Sequence, residues 1–375
     1  MCIRDRTDTR QVWRTIRSLD GRAAPRKENE VLVIDGKAYV GDKKKAHEFA
    51  KVYKKVSKIN KGPNDRIIKR KNREFFRRGQ LSKSKYENEI TWEELERVIG
   101  NASNNKAAGD DNIPYDIITA LGPIAKKFIL HIYNKVWNGK PIPQRWRTAV
   151  IKPLLKEGKD PKSPGSFRPI ALTACLGKLL EKIIADRLSA FMEDNSLLNP
   201  NQAGFRKERC TTDQVLKLVQ MASDKIHEND EGSTTLVTFF DFSRAYDKVW
   251  REGLLSKMIK MGVPFQFIKY TRMFLSGRKT VVDINGVQSN PFYLNEGLPQ
   301  GSAISPLLFL LFINDITEHM MGGATPSLFA DDTAIWIEAV KDREKTIKRM
   351  QANINGISEW AKKWKMVLNL SLIHI

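Results

Sequence analysis

Two acidic sites fall where β-strands should end. Asp241 closes the run Leu236-Val237-Thr238-Phe239-Phe240, and Asp331-Asp332 follow Ser327-Leu328-Phe329-Ala330 and precede Thr333-Ala334-Ile335-Trp336-Ile337. Side chains at strand ends are held by a rigid sheet yet reach solvent and substrate. Carboxylates converging there could hold two divalent cations about 3.5–4 Å apart, which stabilises the attacking and leaving oxygens in phosphoryl transfer. The flanking residues are apolar, so like charges gathered among them need a metal or a cationic partner to offset desolvation. A bare Asp-Asp turn, by contrast, is most often a solvated loop, and only its surroundings make it a candidate.

Composition indicates the class of substrate. The 375 residues carry 64 Lys+Arg against 43 Asp+Glu, a formal net charge of +21, so the surface should attract a polyanion, nucleic acid first. The longest apolar run, Leu307-Leu308-Phe309-Leu310-Leu311-Phe312-Ile313, is far short of the roughly 20 residues of a membrane span, and no membrane partner is expected. Cys2, Cys175 and Cys210 have no metal-site or disulfide-framework spacing. The start, Met1-Cys2-Ile3-Arg4-Asp5-Arg6, lacks the apolar core of a signal peptide. An intracellular location, nuclear and cytoplasmic, is the expectation.

The acids must be positioned by surrounding elements. Residues 1–90 read as a basic linker with small helical pieces, marked by Lys43-Lys44-Lys45, Lys54-Lys55, Lys69-Arg70-Lys71 and Arg77-Arg78; a solvated helix face and a phosphate-binding stripe are both open readings. Thr91-Trp92-Glu93-Glu94 is a capping box and a plausible domain start. Helical periods run through Leu176, Leu179, Leu180, Ile183, Ile184, Leu188 and Phe191, and through Val215, Leu218, Val219, Ala222 and Ile226; each should pack one face on a core. Ser305-Pro306 should cap a helix apolar all round, buried under a sheet, and Ile347 through Trp364 predict a last helix. Thr280-Val281-Val282-Asp283-Ile284 followed by Asn285-Gly286 reads as strand and hairpin turn, with Phe292-Tyr293-Leu294 as a further short strand. The irregular order favours an α+β fold with helices on one face of a sheet over a doubly wound parallel sheet.

Five segments are more specific. Phe240-Asp241-Phe242-Ser243-Arg244-Ala245-Tyr246-Asp247-Lys248-Val249, Gly297-Leu298-Pro299-Gln300-Gly301-Ser302-Ala303-Ile304-Ser305-Pro306-Leu307 and Phe329-Ala330-Asp331-Asp332 resemble polymerase motifs A, B and C of reverse transcriptases. Ser166-Phe167-Arg168-Pro169-Ile170-Ala171-Leu172 and Asn201-Gln202-Ala203-Gly204-Phe205-Arg206-Lys207 resemble finger motifs of the non-LTR retrotransposon branch, in the style of jockey-like elements. The resemblance extends from residue 8 to 370, the basic region being similar to the linker after the endonuclease in such polyproteins.

The resemblance implies a right-hand polymerase: fingers with an N-terminal extension over 91–235, and a palm over 236–375 with an antiparallel sheet packed on helices, truncated before a thumb. It implies an RNA-directed DNA polymerase with an RNA template, a DNA primer and dNTPs as partners. Asp241 and Asp331 would bind two Mg²⁺ ions, Mn²⁺ being the substitute, with Phe242 part of the metal site and Asp332 catalytic beside them. Arg168, aided by Lys156, would grip the triphosphate. Tyr246 would be the gate under the incoming sugar that excludes a ribose 2′-hydroxyl, and Gln300 and Gly301 would meet the nucleotide. Gly204, Phe205 and Arg206 would contact the template strand.

Two other readings stay open on the same residues: a catalytically weak or inactive nucleic-acid-binding retrotransposon fragment, and a group II intron or viral RNA-templated polymerase, against which Tyr246 argues. After Trp364-Lys365-Met366-Val367-Leu368-Asn369-Leu370 the family would continue with a lysine-containing motif D and a thumb; here Ser371-Leu372-Ile373-His374-Ile375 follows. That tail and residues 1–6 resemble translated sequencing-adapter reads. Residues 367–370 should add a strand to the palm.

Overall fold

The computed structural model describes residues 31–60, 62–79, 83–104, 106–227, 235–320, 323–338 and 342–369. Both candidate acidic sites belong to one three-stranded antiparallel sheet, in which Asp332–Glu338 lies between Thr235–Phe240 and Thr325–Phe329. The β-branched and aromatic residues expected of strands fill these segments. Leu328, Ile335 and Ile337 turn to a core shared with the helix Ser305–Ile313 and with Trp360 and Trp364 of the helix Arg343–Trp364. Beyond Asp241 the chain is joined by the segment after that helix: Phe242 bridges Leu368, and Ser243 N–H donates to the Val367 carbonyl at 2.8 Å. The strand expected of 367–370 is thus a single bridged pair, with Leu370 and the tail outside the described residues.

A second sheet stands opposite. Phe167–Leu172, Ala149–Leu155, Lys279–Ile284 and Val287–Gln288 are neighbours in that order, with Phe292–Tyr293 also on Lys279–Ile284. Its one parallel contact pairs Ala149–Ile151 with Thr280–Val282, so strands on either side of residue 236 share this sheet. The expected hairpin turn is present, with Asn285 and Gly286 both at positive φ, as a type I′ turn requires.

The basic N-terminal region differs from a linker of small helical pieces. Its described part holds a hairpin, Leu32–Ile34 with Lys37–Tyr39, and helices Asp42–Val56 and Pro63–Arg78 of 15 and 16 residues. Phe49 and Tyr53 of the first pack with Ile151, Val282 and Phe292 of the second sheet. The second lies against the helix Arg251–Lys260, where Asn72 Nδ2 donates to Glu252 Oε2 at 2.7 Å, and Lys365 pairs with Asp65 at 2.7 Å. These apolar contacts and clamps were outweighed in the sequence by the visible run of lysines.

Cys175–Asp194 forms the expected helix, its apolar stripe buried. The helix Thr211–His227 departs in part from expectation: Val215 and Val219 of its apolar stripe are exposed, Leu218 and Ala222 are half-buried, and among its described side chains Gln214 is the buried one, accepting a hydrogen bond from Ser327 Oγ at 2.7 Å. Periodicity reports amphipathy, not the presence of a partner. Ile304, not Ser305, takes the cap position of the buried helix. Ile347 also stays exposed, while Met350, Ile357, Ala361 and Trp364 are buried.

The capping box forms, with Thr91 Oγ1 accepting from Glu94 N at 3.3 Å and Glu94 Oε2 accepting from Thr91 N at 2.9 Å. Arg187 completes it: its guanidinium forks onto both Glu94 oxygens at 2.6 Å and donates to the Asn88 and Glu89 carbonyls. Because cutting one partner from a largely buried pair strands the other, Arg187→Met should cost about 3 kcal/mol, read as a lower midpoint in urea unfolding.

Candidate active site

Asp241 ends its strand and Asp331 sits in the two-residue tip between Phe329 and Asp332, which pair with each other. Ala330 takes φ 57 there, a left-handed conformation that is uncommon for a residue with a Cβ. Asp332 is already the first residue of its strand. Asp331 belongs to the turn and Asp332 opens the strand, and the two acids part. Asp241 and Asp331 line a cleft of about 820 Å³, whereas Asp332 lines the adjoining hollow, which Asp241 also borders.

The electrostatics mark the three as neighbours. Burial, and then the charges of Asp332 and Asp241, hold the Asp331 carboxyl above the usual range, and burial with the Asp241 charge does the same for Asp332. Repulsion of this kind is relieved by a cation. Among the described residues there is no group of three or more His, Cys, Asp or Glu side chains arranged to hold a metal; Asp241 and Asp331 are the two carboxylates that share the cleft and could hold a cation there. The oxygens of that pair suit hard divalent cations that keep water or phosphate as further ligands. Phe242 can add only its carbonyl, its ring being buried against Trp360. Asn369 Nδ2 donates to Asp241 Oδ2 at 2.9 Å, and its backbone N–H to the Asp241 carbonyl at 2.8 Å.

Across the cleft, the second sheet and its loop present Lys156 and Arg168, and Phe205 and Arg244 also line it. Tyr246 forms the floor, its ring stacked on Phe309 at 4.9 Å and 12°. Burial, then the charge of Asp331, keeps its hydroxyl protonated well above the usual range. Gln300 and Gly301 also line the cleft. The Gln300 carbonyl accepts from Ala171 N at 2.8 Å, and its amide donates to Asp247 Oδ1 at 3.1 Å. Gly301, at φ 105, brings its backbone so near Ala171 that a Cβ would lie 2.9 Å from that carbonyl oxygen.

Two expected template contacts lie elsewhere. Gly204 is buried behind the acidic tip, where an added Cβ would fall 2.3 Å from Ala330 N. Arg206 is turned inward: it forks onto Glu193 at 2.8 and 2.6 Å and donates to the Asn199 and Gln202 carbonyls. Phe205, between them, is exposed in the cleft. The sequence reading missed Asn369, Asp247 and Tyr53. Asn369 was legible as part of the segment after the last helix, whereas the Tyr53 position depends on packing of a distant helix.

Asp247 carries a pH prediction. Burial lifts its carboxyl to about 6, against the opposing hydrogen bond from Gln300 and the charges of Arg244, Lys248 and Lys156. A carboxyl raised on folding favours the folded state below its unfolded value and loses that contribution as pH rises through its folded one. The stability of Asp247→Asn relative to the parent chain should therefore increase between about pH 4 and 6, as read by denaturant unfolding across that range.

With this geometry in place, similarity becomes specific. Residues 156–372, more than half of the chain, match the family Reverse transcriptase (RNA-dependent DNA polymerase). The chain belongs to the reverse transcriptase family. It is 31% identical over 290 residues to the Probable RNA-directed DNA polymerase from transposon BS of Drosophila melanogaster, covering 75% of this chain and 31% of that protein. It is 30% identical over 281 residues to the corresponding transposon X-element protein of the same fly, covering 74% and 30%. To the RNA-directed DNA polymerase from mobile element jockey of Drosophila melanogaster it is 30% identical over 291 residues, covering 75% and 31%. The chain thus spans about a third of the length of these relatives. The matched stretch contains every cleft residue named above except Tyr53.

Proposed function

We propose that this reverse transcriptase chain is the fingers and palm of a non-LTR retrotransposon polymerase, adding dNTPs to a DNA primer on an RNA template. The observation that carries this reading is the meeting of Asp241 and Asp331 in a cleft whose opposite wall holds Lys156 and Arg168. Its volume of about 820 Å³ lies in the range of pockets that enclose nucleotide-sized ligands, roughly 300–1,000 Å³. The three-stranded sheet would be the palm and the second sheet the finger base, covered by the helix Asp42–Val56.

Asp241, Asp331 and the Phe242 carbonyl would hold Mg²⁺, whose chemistry when bound is to neutralise charge on the attacking and leaving oxygens. The rest falls to the chain. Arg168 has no ion-pair partner among the described residues, leaving its planar donors free to fork onto phosphate, and Lys156 adds a mobile charge. The Tyr246 ring, braced by Phe309, would set the sugar's height, because a ring that cannot retreat excludes an extra hydroxyl. Asn369 would fix the Asp241 carboxylate. Phe205 offers a ring for an unpaired template base, since every base can stack on an aromatic face.

Arg168→Ala tests the wall opposite the acids. Primer extension should show the KM for dNTP raised at least about tenfold, in keeping with the loss of a charge-assisted fork; an unchanged KM would remove Arg168 from the nucleotide site.

A further inference from the structure

The acidic tip has a left-handed residue at its base, and the chain must hold it there. Ala330 N–H, immediately before Asp331, donates to Gln202 Oε1 at 2.9 Å, and the same oxygen accepts from Gly204 N–H at 2.8 Å. Gln202 is buried, at 2% exposure, and its Nε2 has no partner among the described residues, so the oxygen is the working end of the side chain. Two converging N–H donors also fix which end of the amide is the oxygen.

The backbone around it repeats the attachment. Ala203 N–H donates to the Leu328 carbonyl at 2.9 Å, and Leu328 N–H to the Asn201 carbonyl at 3.1 Å. Gly204 lies so close to Ala330 that no side chain fits between them. Arg206, tied to Glu193, grips the Gln202 carbonyl at 3.2 Å from behind.

We propose that Gln202 is a positioning residue for Asp331: its side-chain oxygen fastens Ala330 in the left-handed conformation and thereby aims the Asp331 carboxylate into the cleft. The inference rests on the reading of Asp241 and Asp331 as a metal-binding pair. A left-handed non-glycine residue persists only where its surroundings over-determine it. Without the acceptor, two buried N–H groups lose their partner, and the tip can relax at the point that sets the direction of Asp331. Metal-bound geometry tolerates little of this, since errors of about 1 Å near a reacting centre cost on the order of a hundredfold in rate.

The test compares Gln202→Leu, which removes the acceptor at nearly constant volume, with Gln202→Glu, which keeps an oxygen at the same reach. A carboxylate accepting two backbone N–H bonds is stabilised by them. Mn²⁺ binding to the full chain, followed by the free-ion electron paramagnetic resonance signal, is read beside kcat and KM for dNTP. Gln202→Leu should weaken Mn²⁺ binding about tenfold and lower kcat about thirtyfold with KM within about threefold, in the range expected of a misaligned support. Gln202→Glu should recover both to within about threefold. Should the Leu variant not fold, Gln202→Asn, one methylene shorter, replaces it with the same expectation.

Parent-like Mn²⁺ binding and kcat in the folded Leu or Asn variant would overturn the proposal. Equal impairment of Gln202→Glu would also overturn it, since the retained oxygen would then count for nothing. Asp331→Asn, run in parallel, separates the two levels. Loss of Mn²⁺ binding there, with none in Gln202→Leu, leaves the site standing and removes the role of Gln202, whereas parent-like binding by Asp331→Asn removes the site on which the inference rests.

Discussion

Asp241→Asn and Asp331→Asn should each reduce primer extension by at least about a hundredfold at saturating Mg²⁺, because each removes one of the two charges that would hold the ions while keeping side-chain size. Asp332→Asn should lose about tenfold or less. Asp332 faces the adjoining hollow and reaches the cleft only through its charge on its two neighbours. The ordering of the three variants is the informative result: kcat for each, measured on one primer-template, either separates Asp332 from the pair or treats all three alike. A loss at Asp332 equal to the others would show that its separation from the cleft at the tip does not persist in the working complex.

Tyr246→Ala should produce the largest change in substrate choice. The ring lies flat on Phe309 and borders the cleft beside Asp331, so its removal opens space at the level of a sugar without touching either carboxylate. Discrimination is a difference in transition-state binding. The ratio of kcat/KM for a dNTP to that for the matching ribonucleotide should fall by at least about tenfold, a shift of about 1.4 kcal/mol, while dNTP use itself survives. An unchanged ratio would leave Tyr246 as a packing residue of the Phe309 core.

Much of the site was legible in the sequence because it is written locally. Apolar strand-formers ending in Asp241, a second such run ending at Asp331, and Asn285-Gly286 after Thr280–Ile284 each state their own geometry. The family motifs brought Lys156, Arg168, Tyr246, Gln300 and Gly301 to one cleft. What escaped was written across long distances. Gln202 meets Ala330 across 128 positions, and no local pattern announces a side-chain oxygen shared by two remote backbone donors. Arg206 read as a template contact because a surface arginine and a brace share the same sequence, and only the position of Glu193 decides between them. Val215 and Val219 show the converse, members of a helical period that stay exposed. Asp331 as a metal ligand and Asp332 as a catalytic neighbour are adjacent in sequence, and that they line different hollows depends on how the turn at Ala330 and Asp331 enters the strand.

The proposed activity of this chain is the building of DNA on RNA, with Asp241 and Asp331 at its centre. It is tested most directly by extending a labelled DNA primer on an RNA template with a single dNTP and Mg²⁺, comparing the parent chain with the Asp241→Asn, Asp331→Asn double variant. The account predicts templated addition of the complementary nucleotide by the parent chain, abolished by chelation and absent from the double variant, with both proteins binding the primer-template. Primer-template binding without any incorporation by the parent chain, or equal incorporation by the double variant, would contradict it.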